Sequence, residues 1–294
     1  MIYLVLTILL TSLFVIFFKV FPRYNINSLQ AIVVNYWTCV VTGCFFLGRF
    51  PVNAEGFHQP WLPWAIGLGC GFFSVFNLLA FCTRADGITA ATIANKLSLV
   101  IPVLFSLFLY NESAGILKIA GILLAIPAIY LASKIKDGEK KMHSIFLLIV
   151  LFVGSGLLDT TVKYVEQAYL DTAGKQAIFP IYVFMAAATL GAIALTVLVL
   201  MKKIKLQARN VVAGILLGIP NYFSIYYLIL LLHSGFMQSS AAIPVANIGI
   251  MLVSALAALI LFKEKVTVYR IIGLVLALIA ILMIVFADLH GGSI

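Results

Sequence analysis

The stretch GITAATIANKLSLVIPVLFSLFLYNE, residues 87–112, places a lysine beside an asparagine inside an otherwise apolar segment and follows them with a proline. A related segment, GFMQSSAAIPVANIGIMLVSALAALILFKE, occupies residues 235–264. Asn95 of the first corresponds to Asn247 of the second at an offset of 152 residues, and other positions match at the same offset. This repeated apolar segment predicts a membrane protein with an internal repeat, and the polar residues inside it are the first candidates for a functional role.

The composition excludes a soluble domain. Hydrophobic residues make up 64% of the chain and charged residues only 10%, whereas a soluble domain is about 45–50% apolar. Because a membrane-spanning helix needs about 20 apolar residues, about ten such helices fit in this length if the loops are short. The net charge of +9 is not combined with a basic, aromatic-rich soluble surface, so a nucleic-acid partner is not expected.

Ten apolar segments are predicted to span the bilayer, each as one helix. The first lacks a basic region and a small-residue cleavage site, so we expect it to be retained rather than removed as a signal peptide. The four cysteines show no metal-ligand spacing and are predicted to be free thiols. The predicted spans are residues 2–20, 29–48, 61–82, 88–110, 114–133, 144–165, 176–200, 211–232, 237–262 and 267–287.

The distribution of lysine and arginine predicts an orientation. The odd-numbered connections carry fourteen of these residues and the opposite side carries four. Because basic residues concentrate in cytoplasmic loops, this bias predicts that both termini lie outside.

The ten segments divide into two sets of five, residues 1–138 and 139–294. Besides the opening pair, Ile119 and Gly121 match Ile271 and Gly273 at the same offset of 152 residues. Five is an odd number of crossings, so the second set enters from the other side, which makes the two sets an inverted repeat. Two GxxxG motifs are matched and predicted to be close helix contacts: Gly67 with Gly71, and Gly214 with Gly218.

This pattern resembles the ten-helix EamA-type branch of the drug/metabolite transporter superfamily. The resemblance rests on tandem five-helix units with glycine in the third span, a fourth span ending in Glu112 or Glu264, and a fifth entered through KIAG (118–121) or RIIG (270–273). It implies alternating-access transport of small metabolites such as amino acids, nucleosides or sugars. It also implies that both termini lie inside, so the orientation stays open between the resemblance and the charge bias.

Lys96 is the first candidate site residue. A lysine deep in a bilayer is costly and normally faces a bundle interior or a cavity. It is predicted to lie in a substrate pathway; pairing with a carboxylate and snorkelling to the interface are the open alternatives.

Asp159 and Lys163 lie four residues apart on one predicted helix face. The plain interpretation is a local ion pair. The functional interpretation is that Asp159 titrates during transport and couples substrate movement to protons.

Amide and aromatic side chains complete the candidate substrate site. Each amide either binds the substrate or bonds a neighbouring helix, and Asn95 and Asn247 are favoured because they recur. Tyr222 and Tyr226 form either an aromatic wall or core packing. The other candidate amides are Asn35, Asn77 and Asn221. Five prolines are predicted to interrupt helices: Pro102, Pro127, Pro180, Pro220 and Pro244. Glu112 and Glu264 are predicted at membrane surfaces, with a gate contact as the alternative.

These features predict an all-α secondary transporter in the plasma (bacterial inner) membrane, a monomer or homodimer that needs no cofactor or metal. Its expected partners are a small polar metabolite and the lipid bilayer. A lipid-carrier flippase of the same fold stays open. A membrane-embedded transferase is disfavoured because the sequence holds neither HExxH nor GxSxG and its four histidines are scattered.

Overall fold

The computed structural model describes residues 1–51, 56, 58–109, 115–133, 142–233, 239–264 and 267–291. Within these residues the chain forms eleven α-helices and a short 3₁₀ helix, Phe21–Tyr24, and no strand. The helices are α1 (Ile2–Val20), α2 (Ser28–Leu47), α3 (Leu62–Ala85), α4 (Ile88–Leu97), α5 (Val100–Leu109), α6 (Ile116–Ser133), α7 (Met142–Tyr169), α8 (Ala173–Leu200), α9 (Ala208–His233), α10 (Ser239–Ile260) and α11 (Val268–Gly291).

In the described part of the chain, eight helices are long and apolar enough to cross a bilayer: α1, α2, α3 and α7 to α11. Two shorter apolar stretches, Ile88–Pro102 and Ile119–Leu131, lie in α4–α5 and α6. The chain is therefore an all-helical, multi-pass membrane protein, as the composition predicted.

The fourth predicted span is not one helix. Its first part, α4, ends at Leu97, and α5 begins at Val100. Pro102 has no N–H to donate to the carbonyl of Ser98 four residues earlier, and that carbonyl instead accepts from the backbone N–H of Ile101 at 2.9 Å. The Ser98 hydroxyl also donates to the carbonyl of Asn95. The interruption predicted for Pro102 is therefore present, and the prediction that this span forms one helix is wrong.

The other four prolines do not break their helices. Pro127 lies inside α6, Pro180 inside α8, Pro220 inside α9 and Pro244 inside α10. Each proline removes one backbone hydrogen bond from its helix, and the helix continues because a membrane helix that is packed by its neighbours tolerates this loss.

The helices pack in pairs that join the two halves of the chain. The most extensive contacts are α6 against α11, α2 against α9, and α3 against α8. Around these pairs, α1 contacts α9 and α10, whereas α7 contacts α3, α4 and α5. Two further pairs are in contact, α2 with α8 and α4 with α10. Each half therefore packs mainly on the other.

Glycines permit two of these close contacts. A Cβ atom at Gly214 of α9 would lie 2.7 Å from the carbonyl oxygen of Ala31 in α2, and one at Gly69 of α3 would lie 2.7 Å from that of Val183 in α8. Gly218 and Gly71 also face neighbouring helices, but a Cβ at Gly67 would meet nothing within 4 Å. The predicted contact at Gly67 is wrong, and Gly69 takes its place.

A neutral amide cluster, made of Asn27, Gln30 and Asn210, fastens the start of α2 to the start of α9. The Asn210 amide nitrogen donates to the Gln30 side-chain oxygen at 2.6 Å, and its oxygen accepts from the backbone N–H of Asn27 at 2.9 Å. The Gln30 amide donates to the carbonyl of Lys205 at 2.8 Å. Gln30 and Asn210 are buried, so these bonds fix one end of the α2–α9 pair.

Two alanine substitutions in α3 test the α3–α8 contact. Gly69→Ala should lower the free energy of unfolding by roughly 1–3 kcal/mol, because the methyl group overlaps the α8 backbone. Gly67→Ala is the matched control and should leave stability unchanged or slightly raised, since alanine favours helix. Thermal unfolding in detergent measures both, and equal melting temperatures for the two variants would contradict the assignment.

Candidate functional site

A cavity of about 240 Å³ lies between α1, α3, α4, α7, α8, α9 and α10. Both halves of the chain line it. It brings together six of the candidate residues: Asn95, Lys96, Asp159, Lys163, Asn221 and Asn247.

The last turns of α4, just before the break, line this cavity with Thr92, Asn95 and Lys96. Asn95 and Lys96 lie in the last turn of α4, where the helix ends and its carbonyl groups are partly negative, an environment that favours a cation. A Cβ atom at Gly156 would lie 2.8 Å from the Ser98 carbonyl oxygen. The glycine therefore lets α7 approach the break closely.

The side chain of Asn95 is fixed by α7. Its amide nitrogen donates to the hydroxyl of Ser155 at 2.7 Å. Ser155 is buried and lines the cavity. Ser155 therefore orients a residue that lines the cavity.

Asp159 of α7 lies beside the break. The Ser98 hydroxyl is 3.4 Å from its Oδ2 atom, and Lys96 interacts with its carboxylate electrostatically. In the described residues, no ion pair within 4 Å joins Asp159 to Lys163, so the local pair that their spacing predicts is not formed. Both side chains are exposed and line the cavity.

Asn221 and Asn247 come from the second half of the chain. Both line the cavity and are almost fully buried. The Asn221 amide nitrogen donates to the Asn35 side-chain oxygen at 3.0 Å. That bond turns the Asn221 nitrogen toward α2 and ties α9 to α2.

Four predicted site residues are not among those that line the cavity. Asn35 lies behind Asn221 and is fully buried. Asn77 donates to the carbonyl of Phe73 in its own helix at 2.7 Å. Tyr222 and Tyr226 pack around Phe46, with the Phe46 and Tyr226 ring centroids 4.8 Å apart. The contacts of these four side chains are those of helix packing.

Other lining residues were missed at the sequence level. Glu166 follows Asp159 and Lys163 on one face of α7, so extending the helical spacing by one turn would have found it. The aromatic wall carried no signal, because the chain holds 22 phenylalanines with similar apolar surroundings. The missed polar lining is Thr7, Thr11, Thr92, Ser155, Glu166, Gln176 and Ser224, and the phenyl wall is Phe14, Phe72, Phe76, Phe179 and Phe184.

The cavity extends toward the connection between α7 and α8, where Glu166 and Gln176 line it. Beyond them, on the surface, Lys175 and Asp171 form an ion pair of 2.7 Å. The hydrogen bond from Lys175 lowers the pKa of the Asp171 carboxyl. This end of the cavity and the surface beside it are therefore polar and charged.

The lining combines two ammonium groups, of Lys96 and Lys163, and two carboxylates, of Asp159 and Glu166, with amides, hydroxyls and phenyl rings. Such a set can hold a small solute that carries charge or hydrogen-bonding groups together with an apolar part. Among the described residues, no group of three or more His, Cys, Asp or Glu is placed to hold a metal ion.

Comparison with known proteins finds a similar fold but indicates no activity. No family model matches the chain. An uncharacterized protein of Haemophilus influenzae is 25% identical over 278 residues, which cover 92% of each chain. A protein of known crystal structure aligns with a TM-score of 0.60 over 94% of this chain and 97% of its own, at 14% identity. At this identity the likeness concerns the fold alone, and it extends over nearly the whole length of both chains.

Proposed function

We propose that the protein is a secondary transporter that moves a small polar metabolite across the membrane by alternating access. The observation that carries this proposal is the cavity, in which Lys96 and Asp159 lie among apolar helices beside a broken helix. Ionisable groups in such positions mark substrate or ion pathways. Secondary transporters bind their substrates at discontinuous helices between two structural repeats.

The helix contacts support two inverted five-helix repeats. If α4 and α5 together make one crossing, the described helices make ten crossings. In an inverted repeat, the first crossing corresponds to the sixth, the second to the seventh, and so on. When each crossing is replaced by its counterpart, the main helix contacts become other contacts that are also present. The α2–α9 pair becomes α8–α3, and α1–α9 becomes α7–α3. The α6–α11, α2–α8 and α4–α10 contacts map onto themselves. A chain without internal symmetry would not be expected to pack this way.

The glycine contacts support the same exchange at the level of residues. Gly214 lies against the carbonyl of Ala31, and Gly69 lies against the carbonyl of Val183. Ala31 and Val183 are 152 residues apart, the offset that also separates Asn95 from Asn247. Gly69, rather than Gly67, is therefore the counterpart of Gly214. This arrangement agrees with the resemblance to the EamA-type transporters.

In this proposal the charged pair recognises the substrate and the amides orient it. The Lys96 ammonium binds a negatively charged or electron-rich group, and Asp159 binds a cationic or hydroxyl group. Asn95, Asn221 and Asn247 add directed hydrogen bonds. The volume of the cavity suits one small metabolite, such as an amino acid, a nucleoside or a sugar. Proton release and uptake by Asp159 would couple its movement to a proton gradient.

Removing the Lys96 charge tests the function. Purified protein in proteoliposomes should transport at least one member of a panel of amino acids, nucleosides and sugars. Lys96→Ala should reduce that transport roughly 10- to 100-fold, the effect of losing a hydrogen bond to a charged group. Lys205→Ala is the control, because its side chain is exposed outside the cavity. Transport of no panel member by the wild-type protein, or full activity of Lys96→Ala, would refute the proposal.

Asp159→Asn separates coupling from binding. The amide keeps the shape of the side chain but cannot exchange a proton, so a pH gradient should no longer drive accumulation. Exchange of labelled for unlabelled substrate across the same vesicles should continue, because that exchange needs no net proton movement. The proposal of proton coupling through Asp159 is wrong if the variant still accumulates substrate against the concentration gradient of that substrate.

We further propose the bacterial inner membrane as the location, with both termini outside. The bias of lysine and arginine toward the odd-numbered connections supports this orientation. Alkaline phosphatase fused to the C-terminus should then be active and green fluorescent protein at the same position should be dark. The reverse pattern would place both termini inside.

A further inference from the structure

A charged cluster lies where α1 ends. Glu264, between α10 and α11, forms an ion pair with Lys19, with 2.9 Å between the Glu264 Oε1 and Lys19 Nζ atoms. The same Oε1 accepts from the backbone N–H of Ile88, the first residue of α4, at 3.2 Å. Arg270 of α11 donates to the carbonyl of Asp86 at 2.7 Å. We name Lys19, Asp86, Glu264 and Arg270 the Glu264 cluster.

The Glu264 cluster is built around the start of α4. Gly87 has a φ of 93°, a backbone conformation that favours glycine. A Cβ atom there would lie 3.0 Å from a Glu264 carboxylate oxygen. The carboxylate therefore reaches the positive end of the α4 dipole, where an anion is stabilised. Glu264 is nearly buried, with 9% of its side chain exposed, whereas 25% of the Lys19 side chain is exposed.

The cluster lies beyond one end of the cavity. Phe14 and Val15 of α1 line the cavity, and Lys19 follows them by about one helical turn. Leu79 of α3 also lines it, and Asp86 follows about two turns later. Because the cavity reaches Glu166 and Gln176 at its other end, the Glu264 cluster lies at the opposite end of the bundle from these two residues.

The α4 helix connects the cluster to the cavity. Ile88 at its start is bonded to Glu264, and Lys96 near its end lines the cavity about 12 Å further along the axis. A movement of Glu264 away from Ile88 therefore frees the start of the helix whose end carries Lys96.

We propose that the Glu264 cluster is the latch that keeps the cavity closed at the end of the bundle where α1 ends. This inference rests on the proposed transport function. Opening at this end breaks the Lys19–Glu264 and Glu264–Ile88 contacts. The α4 helix is then free to move, and Lys96 moves with it. The neutral amide cluster of Asn27, Gln30 and Asn210 at α2 and α9 stays intact, because buried groups that satisfy one another are costly to separate.

Cys82 offers a native reporter for opening. It is a fully buried thiol near the end of α3, and its carbonyl accepts from the Asp86 N–H at 2.7 Å. Cys39 is equally buried but lies in the α2–α9 contact, where its thiol is 3.3 Å from the Gly218 carbonyl oxygen. Opening at the Glu264 cluster should expose Cys82 and leave Cys39 protected.

The experiment measures N-ethylmaleimide modification of each cysteine by peptide mass spectrometry in the purified full-length protein. Lys19→Met and Glu264→Gln should each raise the modification rate of Cys82 several-fold without changing that of Cys39. Lys175→Met is the matched control, since it removes the lysine of another ion pair, with Asp171 at the opposite end of the bundle. In this control, Cys82 should be modified as slowly as in the wild-type protein.

The outcomes separate the latch from the transport function, because the readout needs no substrate. The latch is refuted if Cys82 stays protected in both variants, or if Cys39 becomes reactive by the same factor, which would indicate general unfolding. If the wild-type protein transports and Cys82 stays protected in both variants, the latch alone fails. Selective exposure of Cys82 without transport by the wild-type protein supports the latch as a conformational contact and refutes the transport function.

Discussion

The structure depends on one constraint, which is that a charged or unpaired polar group inside a bilayer must be screened from lipid. Lys96 satisfies it by ending a short helix that is surrounded by other helices, where it lines a cavity that Asp159 also lines. The backbone freed by the break at residues 98–99 is bonded through Ile101 and the Ser98 hydroxyl. A cavity with a partly polar lining and a protected helix break are thus consequences of the same packing.

The apolar spans were predictable because hydropathy is a local and additive property. Of the ten predicted, eight correspond to long apolar helices, with ends that differ by a few residues. The break after Leu97 was not predictable by the same means. Pro102 and Pro220 give the same local signal, yet α9 continues through Pro220. What distinguishes the break near Pro102 is its tertiary surroundings, such as the close approach of Gly156 to the Ser98 carbonyl.

The candidate site was predictable in residue type but not in arrangement. The ten candidate residues were predicted as parts of one site, and six of them line one cavity. Helical spacing paired Asp159 with Lys163, but Ser98 of another segment contacts Asp159 instead. Asn35 and Asn221 are both buried asparagines in apolar helices, yet only Asn221 reaches the cavity. Which face of a helix meets the cavity is decided by packing between distant segments, which one sequence does not specify.

The α4 segment belongs to the first half of the chain, but its hydrogen bonds to other segments reach the second half. Asp86 and Ile88 at its start bond to Arg270 and Glu264, whereas Asn95 and Ser98 at its end contact Ser155 and Asp159. If the two halves move relative to one another, α4 cannot keep both sets of contacts unless it moves with the second half. The bonds at its start are made by the charged side chains of Glu264 and Arg270, and the Lys19 partner of Glu264 is partly exposed. Release at the Glu264 end, where water reaches Lys19, is therefore the step by which the proposed latch lets the helix that carries Lys96 move.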